Sequence, residues 1–278
     1  MFALDHIVFN TRDRIDAVVE LFQRLGFTVA PRGHHTLGSI NHVIVFGTDY
    51  LELLGYPPGK PPAGRPELAA HPIGLMATVL ATEDADATRA GLIARGLRPR
   101  PVQAFSRPVD LGRGRIQDAA FRVTRLEPDA VPGTWFYYCQ HLTRSLVWRP
   151  EWQAHANGAT AMCALDIDVP DLAAAAPAYR QCTQAGTSET LGASHSSSIF
   201  PLQGCDIRLH QRAGAAQMRG LTLRVSSIET AAQCLRQKGI RFDRSGTEYP
   251  AANVAQQVIR IDPAATFGVT LQLAALAQ

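Results

Sequence analysis

Residues 41–56, NHVIVFGTDYLELLGY, read as two short apolar strands joined at Gly47-Thr48-Asp49. Gly and Asp between two apolar runs are a hairpin signal. The second strand carries a carboxylate, Glu52, inside an otherwise apolar run. Period-two alternation puts Tyr50, Glu52 and Leu54 on one face and Leu51 and Leu53 on the other. With a three-residue turn, Phe46 lies opposite Tyr50, Ile44 opposite Glu52 and His42 opposite Leu54. His42 then sits diagonally across from Glu52 on the same face. A slip of one residue would turn it away.

Upstream, residues 4–10 (LDHIVFN) alternate as a strand with Leu4, His6 and Val8 on one face and Ile7 and Phe9 on the other. Residues 12–25 carry Ile15, Val18, Val19, Leu21, Phe22 and Leu25 at helical spacing, with Thr11 or Asp13 as cap and Gly26 as stop. A short strand at 27–30 completes the order β-α-β-β-β. The same grammar returns three times. A strand at 75–80, a helix at 84–94 stopped by Gly96, and strands at 102–105, 119–126 and 134–139 make the second unit. Residues 162–169, 172–182 (stopped by Gly186), 197–202 and 206–210 make the third, and 221–225, 228–237 (stopped by Gly239), 254–261 and 269–273 the fourth. Residues 57–72 are Pro-rich and separate the first two units. Residues 143–158, with Trp148 and Trp152, separate the second from the third and read as a packed linker. The expected domains are therefore 1–142 (modules 1–56 and 73–142) and 159–278 (modules 159–212 and 217–278), joined by 143–158.

Composition bounds the rest. The chain has 278 residues, 46% hydrophobic and 18% charged, with ample core for a globular protein. The net charge of +3 demands no nucleic acid. The Arg-rich stretch 95–115 reads as a solvated face, or more sharply as a positive rim attracting an anionic substrate. One interleaved aromatic, Phe105, is too few for a nucleic-acid stacking platform. The five cysteines are widely spaced, without a CxxC, so reduced and mostly buried thiols are expected rather than a disulfide framework. The opening MFALDHIVFNTRDR does not read as a secretory leader, and no run approaches the ~18 apolar residues of a membrane helix. A cytoplasmic location is expected. No GxSxG, P-loop or GxGxxG before a helix occurs, so no nucleotide cofactor is expected.

Repeated βαβββ units, a first strand LDHIVF and a closing strand YLELL resemble the vicinal oxygen chelate superfamily. The pattern RGHHTLGSINHVIVFGTDYLELLGY is similar to its glyoxalase-like subgroup. That resemblance implies an α+β fold. Four βαβββ modules would form two cupped mixed β-sheets of the glyoxalase/bleomycin-resistance kind, with helices outside and a divalent metal inside the cup. In the family, ligands come from the first and last strands of a unit, which implies His6 and Glu52. Such a donor pair suits Mn, Fe, Zn, Ni or Mg. A further ligand or pocket residue would come from His42, His141, Tyr50, His34 or His35. In the C-terminal half the first strands carry no His, and Gln272 stands where a ligand Glu would be, so that cup reads as degenerate.

Each candidate has a plainer alternative. His6 could be a strand-start histidine satisfied by hydrogen bonds. Glu52 needs a cation or several donors, and a buried arginine would serve as well as a metal. His34 and His35 read as loop, Tyr50 as cup wall, His155 as loop-stabilising, and His195 and His210 as surface residues. Two functions follow. The first is a metal-dependent enzyme of lyase/isomerase or extradiol-type dioxygenase chemistry, with a small oxygen-rich substrate and Glu52 as ligand or base. The second is a non-catalytic protein that binds or sequesters a small ligand in the same cup. The expected partners are a small, anionic molecule and a second copy of the chain, with neither nucleic acid nor membrane.

Overall fold

The computed structural model describes residues 2–185, 189–190, 197–246 and 257–275. The predicted stop Gly186, His195, predicted at the surface, and the start of the predicted 254–261 strand lie outside the described residues. The first unit is β1 (Leu4–Arg12), α1 (Ile15–Arg24), β2 (Gly33–His34), β3 (Ile40–Val45) and β4 (Tyr50–Gly55). A short helix, α2 (Glu67–Ala70), leads to β5 (Gly74–Ala81), α3 (Ala85–Ala94), β6 (Gln103–Asp110), β7 (Ile116–Arg125) and β8 (Trp135–His141). The third unit is β9 (Ala159–Val169), α4 (Leu172–Thr183), β10 (Glu189–Thr190), β11 (Ser197–Pro201) and β12 (Asp206–Gln211). The fourth is β13 (Gln217–Val225), α5 (Ile228–Gln237), β14 (Phe242–Gly246), β15 (Gln257–Ile261) and β16 (Thr270–Ala275). No helix is long and apolar enough to cross a membrane among the described residues.

The strands form two mixed eight-stranded sheets, ordered β2-β3-β4-β1-β5-β8-β7-β6 and β10-β11-β12-β9-β13-β16-β15-β14. In each, the first strands of two units pair antiparallel at the centre, and each pairs in parallel with the closing strand of its own unit. This is the α+β architecture of four βαβββ modules expected from the periodicities. Each helix puts an apolar stripe on the sheet. Val18 and Phe22 of α1 are buried with Ile7 and Phe9 of β1.

One apolar cluster runs from this outer face of the first sheet into the second half, through Met162, Leu165 and Leu221. A separate cluster, including Val8, Val43, Tyr50, Phe121 and Tyr137, lines the concave face of the first sheet. Trp148 and Trp152, in the stretch between the sheets, pack on that second cluster. Several polar bonds tie the halves, among them Met162 N–H to Asp49 Oδ1 at 3.0 Å and the Tyr138 hydroxyl to the Cys182 carbonyl at 2.8 Å, and from the connecting stretch Asn157 Nδ2 donates to the Leu25 carbonyl at 2.9 Å. Gly26 (φ 88°) is required twice over, because a Cβ there would also lie 2.5 Å from Cys234 Sγ.

The central strands depart from strict alternation. Leu4 and His6 pair with the consecutive residues Leu80 and Val79, so Asp5 is an extra, bulged residue of β1. A bulge re-aims side chains. Leu4 therefore packs with Ile7 and Phe9 on the helix side, not with His6 and Val8 as alternation predicted. The second half repeats the device. Leu223 and Thr222 pair with Met162 and Ala164, leaving Cys163 as the extra residue of β9. Met76 of β5 and Arg219 of β13 are extra in the same way.

The β3–β4 hairpin differs from expectation by one residue. Val45 pairs with Tyr50, Val43 with Glu52, His42 with Leu53 and Asn41 with Leu54. The loop holds four residues, 46–49, closed by the Phe46 N–H to Asp49 carbonyl bond at 2.8 Å. Two smaller expectations also change. Neither Thr11 nor Asp13 caps α1: the Thr11 hydroxyl donates to the Leu54 carbonyl at 3.1 Å. Residues 27–30 take no strand position, although Ala30 N–H reaches the Val43 carbonyl at 2.9 Å.

Candidate active site

The concave face of the first sheet encloses a cavity of about 40 Å³. His6 from β1, Glu52 from β4 and His35 from the β2–β3 connection meet in it. All three are buried. His6 Nε2 lies 3.8 Å from Glu52 Oε2, and His35 Nε2 lies 3.8 Å from Glu52 Oε1. The other ring nitrogens are engaged. His6 Nδ1 sits 2.5 Å from Asp5 Oδ1, and His35 Nδ1 sits 2.9 Å from Ser39 Oγ. Two imidazoles thus present their Nε2 atoms to separate oxygens of one carboxylate.

Burial alone would raise the Glu52 pKa. The His35 and His6 rings, the Asn41 amide and the Arg65 charge outweigh it, and the carboxyl is held below its ordinary value. Asn41 Nδ2 donates to Glu52 Oε1 at 2.6 Å. No arginine reaches ion-pair distance of Glu52 among the described residues, so the arginine alternative is not what satisfies it. Burial pushes His35 down to about 4, so its ring is neutral near pH 7.

Behind His6, Asp5 Oδ1 also meets His141 Nε2 at 3.0 Å. Burial would raise Asp5, but the charge and hydrogen bond of His141, then those of His6, hold it well below the usual carboxylate range. Asp5, Cys139 and His141 bring an oxygen, a sulfur and a nitrogen within 4.8 Å of one another. Burial, with Asp5 and Glu52 nearby, pushes the Cys139 thiol well up. A protonated thiol and a carboxylate oxygen already shared by two imidazoles disfavour a cation at that trio.

The other candidates separate cleanly. Tyr50 stacks on His6 with ring centroids 4.3 Å apart and forms the wall. His141 touches Asp5, not Glu52. His42 points away from Glu52, as the one-residue register difference requires, and its Nδ1 meets the Ala30 carbonyl at 2.8 Å. His34 is exposed. His155 accepts from Thr28 N–H at 3.0 Å and stabilises the loop before β2. His210 Nε2 bonds Asp166 Oδ1 at 2.8 Å in the second half. All five cysteines are free and buried.

Sequence reasoning missed Asp5, Asn41 and Arg65. Of the Arg-rich stretch, Arg107 lines the cavity, while Arg113 and Arg115 are exposed and solvated. Arg65 and Arg125 line it too.

This fold and cup define a vicinal oxygen chelate protein. The family model of the glyoxalase-like domain matches residues 4–183, and the chain belongs to that family. No curated protein matches it in sequence. Many solved structures share its fold, three of them as follows. A hypothetical protein from Staphylococcus aureus has a TM-score of 0.66 at 10% identity, covering 99% of this chain and 100% of the other. A xylose isomerase-like TIM barrel/4-hydroxyphenylpyruvate dioxygenase fusion protein has a TM-score of 0.67 at 14% identity, covering 98% of this chain and 48% of the fusion. A mutant of 4-hydroxymandelate synthase from Streptomyces coelicolor has a TM-score of 0.61 at 12% identity, covering 100% and 94%.

Proposed function

We propose that the chain is a metal-dependent enzyme that turns over a small oxygen-rich substrate in the N-terminal cup, by lyase/isomerase or dioxygenase chemistry. The observation that carries this reading is the pair of Nε2 atoms 3.8 Å from the two oxygens of Glu52. Each spacing is too long for a hydrogen bond and suits a pair of cation ligands with bonds of about 2.0–2.2 Å; the three donor atoms do not all lie within 4.8 Å of one another, so the trio would have to tighten onto an ion. Two imidazoles and one carboxylate are the donor set of mononuclear sites with open positions. His6, His35 and Glu52 would hold the ion. Such an ion supplies Lewis-acid polarisation of two neighbouring substrate oxygens.

The remaining work falls to the chain. Asp5 keeps the His6 proton on Nδ1 and leaves Nε2 as the lone-pair donor, the second-sphere role a carboxylate plays behind a ligating imidazole. Asn41 orients Glu52 through Oε1. Tyr50, stacked on His6, and Trp148, with its ring centroid 5.4 Å from that of Tyr50, keep water from that side. Cys139 stays a thiol and takes no nucleophilic part. We further propose that the chain works as two domains, 1–142 and 159–278, of which the first holds the chemistry.

A binding protein is the second reading. It is favoured by the partner strands, which set Val79 and Tyr137 in line with His6 and contribute no further carboxylate or imidazole to the row. Elemental mass spectrometry of the wild type, His6→Ala and Glu52→Ala proteins separates the two. Stoichiometric metal in the wild type, lost in both variants, supports the enzyme and opens a screen of diols, α-keto hemithioacetals and catechols. No metal after loading with Mn, Fe, Zn or Ni overturns it. Ligand binding indifferent to chelator, without turnover, then points to sequestration.

A further inference from the structure

The cavity has a second pole, which the proposed metal chemistry does not use. Three guanidinium side chains line it, Arg65 from the stretch before α2, Arg107 from β6 and Arg125 from β7. Glu52 is the one carboxylate among its lining residues. Arg65 is engaged on one side only: its Nε donates to Glu67 Oε1 at 2.8 Å, while its Nη2 is buried without a protein partner. Arg107 is 4% exposed, its Nη2 is likewise unpartnered, and it joins no ion pair among the described residues. The Tyr137 hydroxyl, from β8, is buried without a partner as well. Arg125 donates to Gln103 Oε1 at 2.8 Å and lies 5.1 Å from the Tyr137 ring centroid.

Leaving buried donors unmet is costly, most of all where the group is charged. Three such donors converging on one cavity, two of them cationic, specify an oxyanion. The backbone is shaped to allow it. A Cβ on Gly33 would lie 2.4 Å from Asn41 Oδ1 and 2.9 Å from Arg107 Cδ, so the glycine is what lets Arg107 reach across β2 into the cup. The stacked pair Phe105 and Phe121, with centroids 5.2 Å apart and planes at 24°, lines the same cavity and gives a flat apolar wall.

We propose that Arg65, Arg107 and Tyr137 form a carboxylate-binding subsite, so that the substrate is a small organic acid. The planar guanidinium fork matches a planar carboxylate, and the narrow cavity favours it over a tetrahedral group. This deepens the enzyme reading and rests on it for the word substrate; the subsite itself is testable without metal.

The test is calorimetric titration of the full chain, chelator-treated and manganese-loaded, with acetate, its neutral isostere acetamide, and inorganic phosphate. Acetate is expected to bind at least about tenfold more tightly than acetamide in both preparations. Arg107→Gln and Tyr137→Phe are each expected to weaken acetate by about 10- to 100-fold and leave acetamide unchanged. If Arg107→Gln fails to fold by circular dichroism, Tyr137→Phe, which removes only the hydroxyl, decides. Equal affinity for the two probes, or acetate affinity unmoved by the substitutions, overturns the subsite. Tighter binding of phosphate than of acetate overturns the carboxylate class. Metal content measured on the same samples keeps the two ideas apart. Acetate selectivity in protein that takes up no metal keeps the subsite and sinks the metal centre; metal without selectivity does the reverse.

Discussion

The two cups share a scaffold and differ in what they place on it. Matching the bulges sets Asp5 against Cys163 and Met76 against Arg219, and the strand registers between those bulges then align. Across the first sheet, one row reads Tyr50, His6, Val79, Tyr137. Its counterpart in the second reads Asp206, Ala164, Thr222, Gln272. One step along, Glu52 is matched by Arg208. The imidazole is gone, the carboxylate has become a guanidinium, and the aspartate behind the imidazole has become a thiol. Charge in the second cup is partly spent internally: Asp166 holds His210, and Asp168 pairs with Arg219. The same hydrogen-bonded frame therefore carries the proposed cation site in one half and not in the other. The frame does not decide the chemistry; a handful of side chains on it do.

The comparison is most directly broken by exchanging roles. Glu52→Ala and His6→Ala are expected to drop metal content to background, more than about tenfold below wild type, while Arg208→Gln leaves it unchanged. Elemental analysis of all three proteins checks this, and metal lost on Arg208→Gln would put the centre in the wrong half. A subtler contrast lies at the two matched bulges. Asp5→Asn is expected to weaken metal binding by about 10- to 100-fold, because the His6 ring loses its anionic anchor, whereas Cys163→Ala has no effect. Competition with a chromogenic chelator reads both affinities.

Between the halves, Asp49 gives a pH signature. Burial raises its pKa to about 6 from 3.8, despite the Met162 N–H and Thr48 hydroxyl bonds that oppose the shift. The folded state thus holds this proton more tightly than the unfolded chain. The stabilisation is complete below pH 3.8 and is lost as pH rises through about 6. Asp49→Asn is expected to be neutral near pH 4 and to stabilise by up to about 2 kcal/mol at pH 7.5, visible in denaturant melts at the two pH values. A variant no more stable at pH 7.5 than at pH 4, each relative to wild type, counts against a protonated Asp49. The smallest effect belongs to His42→Ala. Its ring faces away from Glu52, so metal affinity should stay within about twofold, with at most about 1 kcal/mol of stability lost with the Ala30 bond.

Much of the frame was legible because periodicity is a property of sequence. Alternation located β1, β3 and β4, helical spacing located α1, α3 and α5, and glycines 26, 96 and 239 marked their ends. Glu52 stood out because an unpaired carboxylate in an apolar strand is costly. What escaped depends on geometry that alternation cannot encode. An extra residue at Asp5 breaks the pattern without a sequence mark, so Asp5 was passed over and Leu4 assigned to the wrong face. One residue more in the 46–49 loop exchanged His42 for Asn41. His35 and Arg65 sit in irregular segments, where no period says which way a side chain points. Gly33 and Gly38 on either side of His34 and His35 are the signal that could have marked a tight, shaped connection there.

The paired bulges also bear on how such chains are aligned and edited. A residue extra to its strand is, in sequence terms, an insertion with no gap to announce it. Because both halves carry it at the same place, at Asp5 and Cys163, the two halves align there without a gap, and only the alternation within each strand runs out of phase. Deleting Asp5 would restore a regular ladder and leave every ligand type in the chain. It would also leave His6 paired with Val79 and facing the cup, with Leu4 still on the helix side, so what such a one-codon deletion removes is the carboxylate behind the imidazole, not the imidazole itself.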